Sequence, residues 1–196
     1  MARTGMSALI EELRGLTEAG TADYTVGTTV YWSDNSLQDI LDSHRSDCIH
    51  YPLTAYPVVG TAGTSLYYEY RAHVEFFEQT TGGTAILYLQ DSTGAQAGTA
   101  LWSADYRRGV FTFVSNTAGT AFYLTGRSYD LNAAAGDVWR KKAAHYAPTS
   151  FNFSTDNHSI SREQVYDHCI QMVDFFTGIS GASIQTIQRS RSDAWD

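Results

Sequence analysis

The sequence is poor in cysteine, since only Cys48 and Cys169 occur among its 196 residues. Two cysteines are too few for the disulfide framework of a small secreted domain, and both suit a reducing cytoplasm as buried apolar groups. Long hydrophobic runs are also missing, because no apolar stretch approaches the roughly 18 residues of a membrane span. Residues 1–16 are amphipathic and lack the continuous apolar segment of a signal peptide, so we expect neither a secretory leader nor a membrane anchor.

Positive charge is scarce as well. The chain has 13 lysine and arginine residues against 21 aspartate and glutamate residues, which gives a net charge of −8. Residues 1–47 are the most acidic part, with eight acidic and three basic residues. An acidic protein is poorly suited to hold phosphate, so this balance argues against specific nucleic-acid binding.

The common catalytic motifs are absent from the sequence. There is no Walker A pattern, no GxGxxG, no GxSxG, no HExxH and no CxxC. We therefore predict that the protein is not an enzyme and needs no cofactor and no metal.

Three weaker groupings have residue types found in active or metal sites. His44, Cys48 and His50 have ligand-like spacing, but tetrahedral zinc needs a fourth ligand. The neighbours His168 and Cys169 point in different directions if they lie on a helix, so a catalytic pair is disfavoured. Glu69 and Glu75 would share one face of a strand, which suits either a carboxylate pair or, more often, a solvated surface.

Helical periodicity marks the N-terminal part of the chain. The first predicted helix has an apolar stripe of Met6, Leu9, Ile10, Leu13 and Leu16. Gly20 is the candidate for its C-cap. The second predicted helix follows a candidate cap at Ser36, and its stripe consists of Leu37, Ile40, Leu41 and His44.

The pattern changes to strands from about residue 49. Alternating residues predict a long strand over 66–77, and 85–90 predicts another that ends in a turn at 91–94. Residues 102–106 and 110–114 flank a short loop in which Gly109 provides the positive φ of a hairpin. Residues 121–124 complete an antiparallel unit of about five strands.

Helical signals return after Gly126. Asp130 is the predicted cap of a helix that ends before Pro148, with basic residues 140–142 late in it. Residues 151–159 are predicted as a linker. The last helix begins with a capping box of Ser161 and Gln164 and ends at Gly178.

These patterns predict an α+β protein whose helical bundle is built from both chain ends around a central antiparallel β insertion. The predicted units are a helical core of residues 1–47 and 127–178, a β-rich insertion of residues 48–126 and an extended tail of residues 179–196. The tail cannot bury itself, yet it has spaced apolar, arginine and tryptophan anchors, which is typical of a segment that docks on another surface. The anchors are Ile184, Ile187, Arg189, Arg191 and Trp195.

Aromatic residues are abundant, with 13 tyrosines and four tryptophans. They suit either a core with cross-strand pairs or a protein–protein interface, and less well a carbohydrate-binding face. The tryptophans and the charges of opposite sign on the helices suggest contacts between subunits. The candidates are Trp32, Asp39, Asp42, Trp139, Arg140 and Lys141.

Several segments resemble the head–tail adaptor proteins of long-tailed bacteriophages, also called connector or head-completion proteins. The similar segments are residues 33–45, the hairpin ADYRRGVFTF, residues 129–144 and residues 151–164, in that order. Together they cover about a quarter of the chain. None of them is a chemical signature, so the resemblance depends on their order.

The resemblance implies a virion protein of the phage neck that is assembled in the host cytoplasm. It implies a ring of copies of this chain, commonly twelve, between the portal protein and a stopper or tail-completion protein, with DNA passing through the lumen. It also implies that the C-terminal tail binds the portal. A tail-associated module that binds a receptor or glycan through the aromatic β insertion is the competing hypothesis.

Overall fold

The computed structural model describes residues 2–20, 25–26, 29–60, 63–80, 86–149, 152–155, 158–161 and 163–180. Its architecture is mixed α+β, with four α-helices, two antiparallel sheets and two short hairpins. The helices are α1 (Ser7–Thr17), α2 (Asp34–Ser43), α3 (Leu131–Tyr146) and α4 (Glu163–Ser180). The prediction of an α+β chain with helices at both ends and strands in the middle is confirmed at this level.

Eleven strands occur in the described residues, numbered in chain order. They are β1 (Thr25–Val26), β2 (Thr29–Val30), β3 (Arg45–Pro52), β4 (Thr54–Val59), β5 (Ser65–Arg71), β6 (Tyr88–Asp91), β7 (Trp102–Asp105), β8 (Val110–Phe113), β9 (Phe122–Tyr129), β10 (Asn152–Thr155) and β11 (His158–Ser161). One sheet has the order β3-β9-β6 and the other the order β4-β5-β8-β7. β1 with β2 and β10 with β11 form the two hairpins.

Two apolar clusters form the core. The first is helical and takes buried residues from all four helices, among them Leu13, Leu41, Val138 and Phe176. The second lies between the sheets and is rich in aromatic rings, with Tyr70, Phe77, Phe111, Phe113 and Phe122 buried. The segments with helical periodicity contribute most of the first cluster, and the segments with strand periodicity form the second.

The local signals at α3 and at the β7–β8 hairpin are confirmed. The Asp130 carboxylate accepts a hydrogen bond from the Ala133 N–H at 2.9 Å, so Asp130 caps α3 as predicted. Gly109 has a φ of +62° in the turn between β7 and β8. A Cβ at that position would lie 2.3 Å from the Val74 carbonyl oxygen, so both the conformation and the space require glycine.

Three cap predictions are wrong. α2 is capped by Ser33, whose hydroxyl accepts the Ser36 N–H, because the helix begins three residues before Leu37. α1 ends at a left-handed Glu18 rather than at Gly20. α4 continues through Gly178 to Ser180, and the Ser180 hydroxyl donates to Asp130 at 2.8 Å.

The predicted long strand over 66–77 is also wrong, because β5 ends at Arg71. The chain then crosses from one sheet to the other: the Ala72 N–H donates to Gly109, and Phe77 forms an isolated bridge with Ser128. Phe76 has a φ of +57°, which breaks the extended backbone. Apolar residues still alternate in the sequence here because the crossover lies between the two apolar clusters. Phe76 packs against the helical cluster and Phe77 packs in the cluster between the sheets.

Two further boundaries differ from the predictions. Residues 152–161 contain the β10–β11 hairpin rather than a linker. β9 runs from Phe122 to Tyr129, well beyond the predicted strand over 121–124. It pairs with β3 from Arg45 opposite Tyr129 to Pro52 opposite Tyr123, with an irregularity between Cys48 and Tyr51. The proposed limits of the insertion at 47/48 and 126/127 therefore lie inside two paired strands.

Candidate functional site

The proposed docking residues Ile184, Ile187, Arg189, Arg191 and Trp195 lie outside the described residues. The described chain ends at Ser180, the last residue of α4, beside the capped N-terminus of α3. The position from which the tail continues is therefore known, and its role stays a prediction.

The two tryptophans among the candidate subunit contacts are buried in the chain itself. Trp32 and Trp139 belong to the helical core and have almost no exposed surface. The Trp139 indole donates to the Leu16 carbonyl at 3.4 Å, and His168 packs edge-on against its ring. These tryptophans hold helices together, so they offer no surface to a neighbouring copy in this conformation.

The basic run on α3 divides into two different environments. Arg140 and Lys141 are exposed, and Arg140 pairs with Asp137 one turn earlier on the same helix. Lys142 is buried and donates to the carbonyls of Thr17 (2.8 Å) and Glu18 (3.1 Å) at the C-terminus of α1. A cation at a helix C-terminus is favoured by the helix dipole, so Lys142 is part of the fold.

Asp39 is exposed on α2, whereas Asp42 on the same helix belongs to a network of ion pairs inside the chain. Arg3 forms a two-pronged pair with Asp42, with donor–acceptor distances of 2.6 and 2.9 Å. Arg3 also donates from Nε to Glu78 at 2.9 Å. Asp39, Arg140 and Lys141 therefore remain the candidate surface contacts.

Glu78 is the centre of that network and is completely buried. Besides Arg3, the Tyr129 hydroxyl donates to its carboxylate at 2.7 Å, and Arg127 lies 3.5 Å away. The guanidinium of Arg3 beside Asp42 holds the pKa of that carboxyl below its usual range, and burial is the main cause that raises the pKa of Tyr129. The network joins the N-terminal segment, α2 and β9.

Sequence analysis missed this network because its members are far apart in the chain. The available signal is Glu78 itself, which stands next to aromatic residues in the segment EFFEQ and directly follows the predicted strand over 66–77. The pairs Arg3–Asp42 and Arg3–Glu78 span 39 and 75 residues. No local spacing rule detects such pairs.

The structure does not bring the predicted chemical groupings together. His44 contacts Asp137 at 2.8 Å, Cys48 lies 3.8 Å from the Ser128 hydroxyl, and His50 stacks on Tyr123. Among the described residues there is no group of three His, Cys, Asp or Glu side chains placed to hold a metal ion.

The other two groupings are also separated. Burial raises the pKa of the Cys169 thiol, while His168 is turned toward Trp139. A thiol with a raised pKa is a poor nucleophile. Glu69 pairs with Arg71 on β5, whereas Glu75 lies beyond the end of that strand, so the two carboxylates do not share a strand face.

The aromatic load of the β region mainly fills its core. Tyr70, Phe77, Phe111, Phe113 and Phe122 are buried and contact one another edge-on or stacked. An exposed aromatic platform of the kind that binds glycans would need these rings at the surface. The competing hypothesis of a receptor- or glycan-binding face therefore gains no support from their positions.

Large apolar side chains are exposed in two places. On α4 they are Val165, Phe175 and Ile179. In the β region they are Ile49 on β3, Tyr56, Val58 and Val59 on β4, Leu101 directly before β7 and Val114 directly after β8. Grouped exposed apolar residues indicate contact with another macromolecule rather than with water. These two surfaces are the candidate functional sites of the described chain.

No helix in the described part of the chain has the length and apolar character that crossing a bilayer requires. A comparison with protein-family models and with curated proteins finds no match for this chain.

Proposed function

We propose that this chain is a structural head–tail adaptor in the neck of a long-tailed bacteriophage. In this proposal, copies of it form a ring between the portal and the stopper or tail, and DNA passes through the lumen. The resemblance of ordered sequence segments is the starting point. The arrangement of the helices is the observation that carries the proposal.

The first and last helices of the described chain close one core. α1 and α2 from the N-terminal part pack against α3, and α3 packs along α4. Two of the segments that resemble adaptors, residues 33–45 and 129–144, contain most of α2 and α3 and so lie at the centre of this core. The resemblance implies helical bundles that form the wall of the ring, and a helical core shared by both chain ends supports this. The large β region departs from a minimal all-helical adaptor.

The surface charge of the helices suits a DNA passage. Glu11, Asp39, Asp167 and Asp174 are exposed on three of the four helices. Each cationic contact with a phosphate strengthens binding to a duplex. An acidic lumen wall would keep those contacts few, so that DNA slides through.

Two exposed apolar side chains of α4 lie near its C-terminal end, directly before the tail in sequence. Phe175 and Ile179 are exposed on the last turns of α4, and Ser180 is followed by residues 181–196. Trp195 and the two arginines of that segment are residue types that dominate binding energy at interfaces. In a ring, one docking segment per copy gains avidity, since each further contact is intramolecular.

Removal of residues 181–196 tests the proposal. This truncation keeps Ser180 and its hydrogen bond to Asp130, so that the helical core remains intact. We expect loss of co-sedimentation with the portal protein of the same phage and heads that fill with DNA but do not join tails.

Point variants provide matched controls. Trp195→Ala should weaken portal binding, whereas Arg108→Ala, at an exposed turn of the β region, should not change it. Normal portal binding and infectious particles from the truncated chain would refute the docking role.

A further inference from the structure

β4 is an open edge of the four-stranded sheet, because that sheet has the order β4-β5-β8-β7. β4 has the sequence TAYPVV, which contains no charged residue. Proteins usually protect such an edge with charges, because an exposed apolar edge pairs with other strands. The protective features of β4 in the described chain are Pro57, which removes one N–H donor, and an irregularity in its pairing with β5 between Tyr56 and Pro57. At about 3.3 Å per residue, β4 offers an edge of roughly 20 Å.

The outer face of this sheet has an apolar band at one end. Tyr56, Glu69, Thr112 and Ser103 form one row across the sheet by their pairings. Because side chains alternate along a strand, the residue two positions further along β4 lies on the same face. The residue directly after β8 and the residue directly before β7, which ends a 3-10 turn, continue the pairing of those two strands through a main-chain hydrogen bond. Those residues are Val58, Val114 and Leu101, and they are 57%, 77% and 55% exposed.

Residues of this band lie at both edges of the sheet. Val58 is on the β4 edge, and Leu101 immediately precedes β7 on the opposite edge. If β7 of one copy lies beside β4 of the next, Leu101 meets Val58 across the join. Asp105 is the only charged residue of the two strands, so acidic copies would not repel one another here.

The main-chain groups at the two edges match in the same register. The Val114 N–H donates to the Leu101 carbonyl, so the alternation of an antiparallel ladder turns the main-chain groups of Trp102 and Ala104 away from β8. The Gly60 N–H donates to Thr64, which likewise turns Pro57 away from β5. Beyond an irregularity in the pairing between Tyr56 and Pro57, the Ala72 N–H donates to Gly109, which turns Tyr70 toward β8 and leaves its partner Ala55 facing away from β5.

With Leu101 opposite Val58 of the next copy, Ala104 faces Ala55 and Trp102 faces Pro57. Each of these two residue pairs would exchange two main-chain hydrogen bonds. Pro57 lacks an N–H donor, so the join has three hydrogen bonds rather than four. No described residue occupies either edge.

We propose that β7 of one copy pairs with β4 of the next copy, so that the four-stranded sheets join side by side. This inference rests on the proposed ring and names the partner of the β region as a second copy of this chain. The contact is head-to-tail, which is the kind that closes into a ring or extends into a filament. The join covers an area on the order of a third of the ~800 Å² per partner that a stable interface buries. Stable association through this edge therefore needs a second contact or a template, whereas brief encounters at high concentration are enough for a cross-link to form.

Cysteine cross-linking tests the register directly. Val58 and Leu101 would form a non-hydrogen-bonded pair, whose close Cα atoms suit a disulfide. We expect the double variant Val58→Cys, Leu101→Cys to give a ladder of cross-linked oligomers under mild oxidation at high concentration. An equal mixture of the two single variants should give only dimers, and each single variant alone should give none. The natural Cys48 and Cys169 are both buried.

Two controls address position and charge. Val58→Cys combined with Thr112→Cys places the second thiol in the middle of the same face and should give no ladder. Other positions along the same edges, such as Thr54→Cys with Asp105→Cys, should also cross-link. Adding Val58→Lys should reduce the yield of that cross-link by roughly fivefold, which is the effect of losing one good cross-strand side-chain pair. Thr112→Lys, which adds the same charge away from the edge, should not.

Dimers of Val58→Cys alone would overturn the proposal in favour of a two-fold β4–β4 contact. A cross-link from position 58 to a different protein in assembled particles would overturn it as well. If portal-bound rings form normally with Val58→Lys, the edge pairing is refuted while the adaptor function stands. If the full-length chain does not bind the portal while the 58–101 ladder forms, the adaptor function is refuted and the edge pairing stands.

Discussion

Replacing Tyr129 by phenylalanine tests whether the buried ion network stabilises the fold. The Tyr129 hydroxyl donates to the Glu78 carboxylate at 2.7 Å and accepts from Arg3 at 3.0 Å. Glu78 is completely buried, so no water replaces a lost donor at its carboxylate. The substitution keeps the ring and its packing and removes only the oxygen.

The expected loss follows from the type of bond. A hydrogen bond to a charged group contributes about 1.5–3 kcal/mol, and a buried carboxylate left short of donors adds a desolvation cost of similar size. Because Arg3 and Arg127 still contact Glu78, we expect a decrease in the unfolding free energy of about 2–3 kcal/mol. For a chain of this length, that corresponds to a fall in Tm of roughly 4–12 °C.

Urea unfolding followed by circular dichroism measures the effect, with Tyr123→Phe as the matched control. Tyr123 lies on the same strand, β9, and stacks on His50 with its ring. No hydrogen bond of its hydroxyl occurs in the described part of the chain, so the control should stay within about 0.5 kcal/mol of the wild type. Equal stability of Tyr129→Phe and Tyr123→Phe would refute the role of the network.

Three further predictions concern stability. The pKa of Asp42 is lowered by Arg3, so this pair contributes stability above the unfolded pKa near 3.9 and loses it as pH falls through the folded pKa. Asp42→Asn should therefore make the unfolding free energy less dependent on pH below about 4. Unfolding measured at a series of acidic pH values checks this, and an unchanged pH dependence would contradict the stabilising role of the Arg3–Asp42 pair. Asp130→Ala should cost about 1 kcal/mol in urea unfolding through loss of the α3 cap, and no change would mean that the cap is dispensable. Gly109→Ala should lower the unfolding free energy by about 1–3 kcal/mol in the same assay, because alanine disfavours the positive φ and its Cβ would clash with the Val74 carbonyl oxygen. Unchanged stability would show that the turn relaxes.

The elements that follow from local chemistry were predictable from the sequence. The α3 helix begins at Asp130 and the β7–β8 turn needs Gly109 because each depends on a side chain or backbone conformation a few residues away. The apolar stripe of α1 also becomes buried as its spacing indicates, with Leu9, Ile10 and Leu13 in the core. Periodicity and capping are sufficient for such elements.

The features that depend on distant partners were not predictable. Alternation continues past Arg71 because Phe76 and Phe77 pack into different clusters, not because a strand continues. Asp42, a predicted subunit contact, is paired within the chain because Arg3 is brought beside it from 39 residues away. The open edge at β4 follows from the strand order, which no single segment of the sequence encodes.

The central claim is that copies of this chain form a ring on the portal. The most direct test is the mass of the complex when the purified protein is mixed with the portal protein of the same phage, measured by native mass spectrometry. The proposal predicts a single complex that contains several copies of this chain per portal ring, commonly twelve. Free portal and free chain at every mixing ratio would contradict it.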